Sequence, residues 1–286
     1  MSGSPSSDGW DLIIRPKTGW FDLHLSDLWR YRDLTMLFVW RDFVAQYKQT
    51  ILGPLWHLIQ PLFTTVMFTV IFGKVAGLPT DGVPPLLFYL AGVTGWSYFA
   101  DCLNRTSGTF IQNAGMFGKV YFPRLSVPLS MAISGLIKFA IQFGLFLVFM
   151  TFYWVRGQQV HPNVLVLLTP ALLLLMAALG LGSGIIVSAL TTKYRDLQQL
   201  VTFGVQLLMY ATPVVYPLSM VRGGHFRWLI LANPMTPIIE TFRYAFLGSG
   251  LFDPMSLLYS SLVTILLLSV GVILFNHVER TFMDTV

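Results

Sequence analysis

The stretch NVLVLLTPALLLLMAALGLGSGIIVSAL, residues 163 to 190, holds no charged side chain, and this admits few folds. An unbroken apolar run of this length is what a helix needs to cross a hydrocarbon core about 30 Å thick. Comparable runs occupy residues 55 to 77, 85 to 104, 125 to 154, 197 to 216 and 254 to 276. Because hydrocarbon offers no hydrogen-bond partner, the backbone of each run must pair with itself, which predicts helices. Only 11% of the 286 residues are charged, against about one quarter in soluble domains. The expected fold is an all-α membrane protein with about six transmembrane helices.

Orientation follows from the cations. With the N-terminus inside, twelve of the eighteen Lys and Arg fall in cytoplasmic segments and five outside, while Lys138 lies within the third span. This bias predicts a multi-pass protein with both termini cytoplasmic. The net charge of +5 is then explained by topology and anionic membrane lipid, with no nucleic-acid partner required. Residues 1–23 form a polar lead without the apolar core of a secretory signal, and so are expected to stay on the chain. Cys102 is the single cysteine, which excludes an intrachain disulfide.

Residues 24–53 read as an amphipathic interface helix. Leu25, Leu28, Trp29, Met36, Val39, Trp40, Phe43 and Tyr47 share one helical face, with Arg30, Arg41 and Lys48 on another. Tryptophans at headgroup depth with cations on the wet side suit a helix lying in the membrane surface. Gly53-Pro54 then turns the chain into the transmembrane domain, residues 54–286, with Pro54 placed where its missing N–H costs nothing. Between spans 2 and 3, NRTSGTFIQNAGMFGKVYFPRLSVP reads as a cytoplasmic loop with a short amphipathic piece. Between spans 5 and 6, Pro234, Pro237 and several charges interrupt the chain, which predicts short helices re-entering the outer leaflet.

Catalytic signatures are missing. NAGMFGKV places Asn113 where a nucleotide-binding loop needs its first glycine and Val120 where it needs Ser or Thr, so this chain does not hold ATP that way. The five histidines show no metal-ligand spacing, and no metal or cofactor is expected in the chain. Gly180, Gly184 and Ser188, each four apart, predict close helix packing rather than a serine nucleophile.

Polar residues inside the spans are the informative ones, since each is costly unless paired or wet. In span 1, His57, Gln60, Thr64 and Phe68 fall on one face; in span 5, Gln199, Thr202, Phe203, Gln206 and Tyr210 do so. Such stripes serve either interhelical hydrogen bonds in a sealed bundle or the wall of a solvated conduit. A conduit of this kind suits a sugar polymer: amides and hydroxyls meet its hydroxyl groups, and aromatic rings its C–H faces. Lys138 is either buried against a carbonyl or snorkels toward the interface. Glu240 and Arg243, three apart, can pair on one helical face.

Residues 40 to 61, WRDFVAQYKQTILGPLWHLIQP, resemble the R-D-x-x-x-x-Y-K/R-x-x-x-L-G-x-x-W-x-x-x-x-P signature of ABC-2 type polysaccharide export permeases. The matching positions are Arg41, Asp42, Tyr47, Lys48, Leu52, Gly53, Trp56 and Pro61. KYRDLQQL (193 to 200) and NPMTPIIETFRYAFL (233 to 247) resemble later segments of the family in the same order. The resemblance implies a homodimer in the bacterial inner membrane that exports a lipid-linked glycan. ATP and Mg would be bound by two copies of a separate cytoplasmic ATPase. Arg41, Tyr47, Lys48, Asn113, Met116, Phe117 and Lys119 would contact that ATPase. Spans 1 and 5 of both copies would form the conduit, and Glu240 and Arg243 an outer gate. The rivals are an ABC-2 permease for small amphiphiles and a membrane-embedded transferase; no convincing in-span acid and base residues support the transferase.

Overall fold

A computed structural model describes residues 25–285 apart from Tyr121, Lys193, Arg195 and 222–226; the N-terminal lead lies outside the described residues. Among the described residues the chain forms eleven α-helices and no strand. In chain order these are α1 Leu25–Arg30, α2 Arg32–Tyr47, α3 Trp56–Phe68, α4 Pro85–Ser107, α5 Thr109–Phe117, α6 Ser126–Val155, α7 Thr169–Thr191, α8 Leu197–Ala211, α9 Arg227–Ala232, α10 Met235–Leu247 and α11 Pro254–Thr285.

Five stretches are long and apolar enough to cross a membrane: Gly53–Val75, Pro85–Ser107, Ser126–Val155, Val164–Thr191 and Pro254–Glu279. The sixth expected span is helical over only part of its length. Residues 197 to 216 yield only the 15-residue α8, about 22 Å long at 1.5 Å per residue and short of a bilayer core. It stops because Thr212 precedes Pro213, and the residue before a proline is driven out of helical backbone; Thr212 has ψ 145°. The Pro213 and Val214 carbonyls then accept hydrogen bonds from Arg243 instead of continuing a helix.

Proline and capping place the other boundaries. Pro85 and Pro170 sit in the first turns of α4 and α7, where their missing donors are not needed. Asp253 caps α11: its carboxylate accepts from the Met255 and Ser256 N–H groups at 3.2 and 3.1 Å. A hydrogen bond from the Ser256 hydroxyl, together with these two, holds its pKa below the usual carboxylate range. The first span is irregular, running from a 3-10 turn at Gly53–Leu55 through α3, with Pro61 inside it, to a π-helical segment at Thr69–Val75.

α4 is the hub. Sixteen of its 23 residues are buried, and it packs against α3, α6, α7, α8 and α10. The other four spans bury only 17% to 28% of their most apolar windows, which leaves broad apolar faces for lipid. Glycines let α7 approach two neighbours at once. A Cβ at Gly184 would lie 1.7 Å from Thr106 Oγ1 and 2.9 Å from the Leu103 carbonyl of α4; one at Gly182 would lie 2.8 Å from the Leu268 backbone of α11. The expected packing role of the small-residue stripe is thus observed.

The interface helix differs from expectation in three respects. It breaks at Tyr31, it ends at Tyr47 rather than near residue 53, and its packed side is Thr35, Phe38 and Val39. That side lies about a quarter turn around the helix from the middle of the apolar stripe. Met36, Leu37 and Trp40 remain about 60% exposed, because the stripe is shared between the bundle on one edge and the surroundings on the other. α9 and α10 lie between α8 and the last span, where one or two short helices were expected.

Candidate functional site

The two polar stripes meet different fates. α8 buries Val205 alone against the bundle. On its open side stand Gln199, Phe203, Gln206 and Tyr210, all exposed, with Phe203 at 59% and Tyr210 at 49%. Thr202, at the edge of that side, donates to its own helix at the Gln198 carbonyl, 2.9 Å away. In α3 the packed stripe is His57, Pro61, Thr65 and Phe68, and Gln60 and Thr64 lie along its open edge. Gln60 is exposed; half-buried Thr64 donates to the Gln60 carbonyl at 3.0 Å. His57 and Phe68 therefore support α3 against its neighbours, with Phe68 edge-on to Tyr89 of α4 at 6.2 Å between ring centres. α3 and α8 both flank α4.

An open face carrying two amides and a phenol cannot be left in hydrocarbon, where unpaired polar groups cost several kcal/mol each (about 4–8 kcal/mol for water to cyclohexane). It requires water, a second protein surface or a hydroxyl-rich cargo. Among the described residues no second polar face stands opposite it.

A second constellation sits where α2 meets α4 and α6. Asp42 Oδ2 accepts from Arg105 Nη2 at 2.9 Å, and Asp42 Oδ1 from Arg41 at 2.9 Å. Arg105 Nη1 lies 3.7 Å from Asp101 Oδ2 and 3.4 Å from Ser134 Oγ. Asp101 Oδ1 accepts from Lys138 Nζ at 3.1 Å. Lys138, half-buried, is thereby paired with a carboxylate, a partner that neither sequence reading named. Sequence reasoning missed Asp101 and Arg105. Their signal was an acid inside an apolar span with an arginine four residues on, a spacing that puts both on one face. The edge of Tyr47 faces the His57 ring at 5.6 Å, joining the end of α2 to the start of α3.

Beside this network, α2 and α5 border an open cleft of ≈ 560 Å³ lined by Arg41, Asp42, Ala45, Gln46, Arg105, Gln112, Asn113 and Met131. Of the residues expected to contact a partner, Arg41, Asn113 and Met116 come together here, with Arg41 Nη1 4.0 Å from Met116 Sδ. Lys48 and Lys119 are exposed and Tyr47 is half-buried. Phe117 is different: only 3% exposed, it packs with Phe110 and Phe122 inside a secondary core. It holds α5 in place and presents no contact surface.

Glu240 and Arg243 form a buried clamp. Arg243 is 0% exposed, pairs with Glu240 Oε1 at 3.3 Å, donates to the Pro213 and Val214 carbonyls, and stacks 3.8 Å from the centre of the Phe88 ring. Gly92 makes the room: a Cβ there would come within 2.6 Å of the guanidinium. Glu240 Oε2 accepts from the Leu251 N–H at 3.1 Å. Burial pushes the Glu240 carboxyl above its ordinary range, while Arg243 and that N–H oppose the rise. The pair ties α10 to α4 and to the turn after α8. Among the described residues no group of three or more His, Cys, Asp or Glu lies close enough to hold a metal ion.

Comparison with known proteins agrees with this architecture. The chain is similar to the O-antigen export system permease proteins RfbA of Klebsiella pneumoniae and Myxococcus xanthus. Each is 28% identical, over 88% and 91% of this chain and 94% and 98% of theirs. It is also similar to the polysialic acid transport protein KpsM of Escherichia coli, 22% identical over 86% of this chain and 93% of that one. The family model described as ABC-2 type transporter matches residues 33–247, from α2 to the end of α10. On that match, which spans the hub, both stripes and the clamp, the chain belongs to the ABC-2 type transporter family.

Proposed function

We propose that this protein is the permease subunit of an exporter that carries a lipid-linked polysaccharide across the bacterial inner membrane. It works as a homodimer in which α8 and the turn after it together make a sixth crossing, so that both termini are cytoplasmic, and ATP is hydrolysed on two copies of a separate cytoplasmic ATPase. The observation that carries the reading is the open face of α8, where the amides of Gln199 and Gln206 and the Tyr210 hydroxyl would be unpaired in hydrocarbon, beside the aromatic surface of Phe203. A two-fold copy supplies the facing wall, and a glycan moving between the walls exchanges water for amides and phenols while its ring faces slide over aromatic surface. The relatives' names, O-antigen export and polysialic acid transport, support a polysaccharide over a small amphiphile.

The cleft between α2 and α5, with exposed Lys48 and Lys119 near it in the chain, is where the ATPase docks. The chain itself makes and breaks no covalent bond. Purification of the permease from its native membrane, followed by mass analysis of what accompanies it, tests the reading. An ATPase subunit and a lipid-linked sugar are expected; a permease that travels with neither, and whose deletion leaves no lipid-linked glycan accumulating in the cytoplasm, would refute it.

A further inference from the structure

α2 is held to the bundle in two ways. In its first half Thr35, Phe38 and Val39 are buried. From Arg41 to Tyr47 no residue is buried, and Asp42 makes the polar connection there, its side chain only 14% exposed. From Asp42 the charges alternate in sign through Arg105 and Asp101 to Lys138, reaching α4 and then α6.

The arrangement is asymmetric. Without Asp42, Arg105 still has Asp101 and Ser134, so no charge in the bundle is left unpaired. Without Asp101, Lys138 loses its anion inside a span, while Arg105 keeps Asp42. Partly buried charges are costly when orphaned, so the Asp101 pairs belong to the stability of the bundle. The Asp42 pair can open and close without that cost, as a joint between a surface helix and a membrane hub must.

We infer that Asp42 is the positioning residue through which a displacement of α2 reaches α4 and α6, by way of Arg105, Asp101 and Lys138. This rests on the transport reading above, in which α2 borders the ATPase. A hydrogen-bonded ion pair is directional, so it passes on a shift of α2 that a smooth apolar contact would let slip. Arg41 on the same carboxylate places the cleft side of α2 on the same joint.

The test compares wild type with Asp42→Ala, Asp42→Glu and Asp101→Asn in the full-length permease reconstituted in nanodiscs. Hydrogen exchange of the α2 amides is measured for the permease alone, and export per ATP hydrolysed for the assembled exporter. Asp42→Ala is expected to speed exchange over residues 40 to 47 about tenfold, the loss of one charged hydrogen bond, with α4 and α6 unchanged. Export per ATP is expected to fall about tenfold. Asp42→Glu, which keeps the carboxylate, restores both, and Asp101→Asn loosens α4 and α6 as well. Wild-type exchange in Asp42→Ala, or faster exchange with undiminished export per ATP, would overturn the inference. If no ATPase accompanies the wild-type permease, the transport reading fails, and the exchange measurement still decides whether Asp42 holds α2.

Discussion

Replacing Gln206 and Tyr210 together by leucine separates the three environments that the open face of α8 could meet. Both side chains are exposed, and among the described residues neither makes a side-chain hydrogen bond. The fold of one chain should therefore change by no more than about 0.5 kcal/mol. On a conduit wall the loss is larger. One amide gives up a hydrogen bond to cargo worth about 0.5–1.5 kcal/mol, and one ring gives up a stacking face worth about 0.5–1.5 kcal/mol. A barrier raised by about 1–3 kcal/mol slows export between about fivefold and about 160-fold.

The assay is export of labelled glycan to the cell surface, alongside thermal unfolding of the purified permease and its dimer fraction in detergent. Slowed export with unchanged unfolding and dimer content is the expected result. If the face looked at lipid, the double leucine variant would unfold later and export normally. If it were a dry seam between copies, the dimer would be altered before export. Either of those outcomes refutes the conduit assignment.

Gly184→Ala should lower stability by about 1–3 kcal/mol, since the added carbon meets Thr106 and the Leu103 carbonyl at overlapping distances. Gly204→Ala, where nothing lies within 4 Å, should be neutral or slightly stabilising; equal effects in reversible detergent unfolding would contradict the packing argument. Arg243→Met orphans a buried carboxylate and should cost about 3–5 kcal/mol at neutral pH. Because burial raises the Glu240 pKa in the folded state, that state binds the proton more readily than the unfolded one. The variant should therefore recover stability as pH falls from 7.5 toward 5, and a flat pH profile would count against it. Lys119→Glu, on an exposed position, should leave unfolding unchanged and reduce ATPase copurification several-fold; undiminished copurification would remove Lys119 from the docking surface.

What the sequence determined by itself is what depends on neighbours within a few residues along the chain. The spans at Pro85–Ser107, Ser126–Val155 and Val164–Thr191 follow from apolar length, and their starts from prolines and caps. The amide and aromatic stripe of α8 follows from helical periodicity, as does the small-residue stripe of α7. Tertiary structure decided which side of each helix is covered. His57 and Phe68 of α3 turn inward and Gln60 outward because α4 and α6 select the side that packs. Phe117 becomes core because Phe110 and Phe122 meet it from other segments. Pro213 ends α8 locally, but it is Arg243, some thirty residues later, that takes the carbonyls freed beyond Thr212. Directly paired residues in the chain from Asp42 to Lys138 lie as far as 63 residues apart, and a charge placed in a span shows its cost locally but not its partner. Burial and pairing are properties of approach between distant segments, whereas helix formation is settled by the backbone's need to satisfy itself in hydrocarbon.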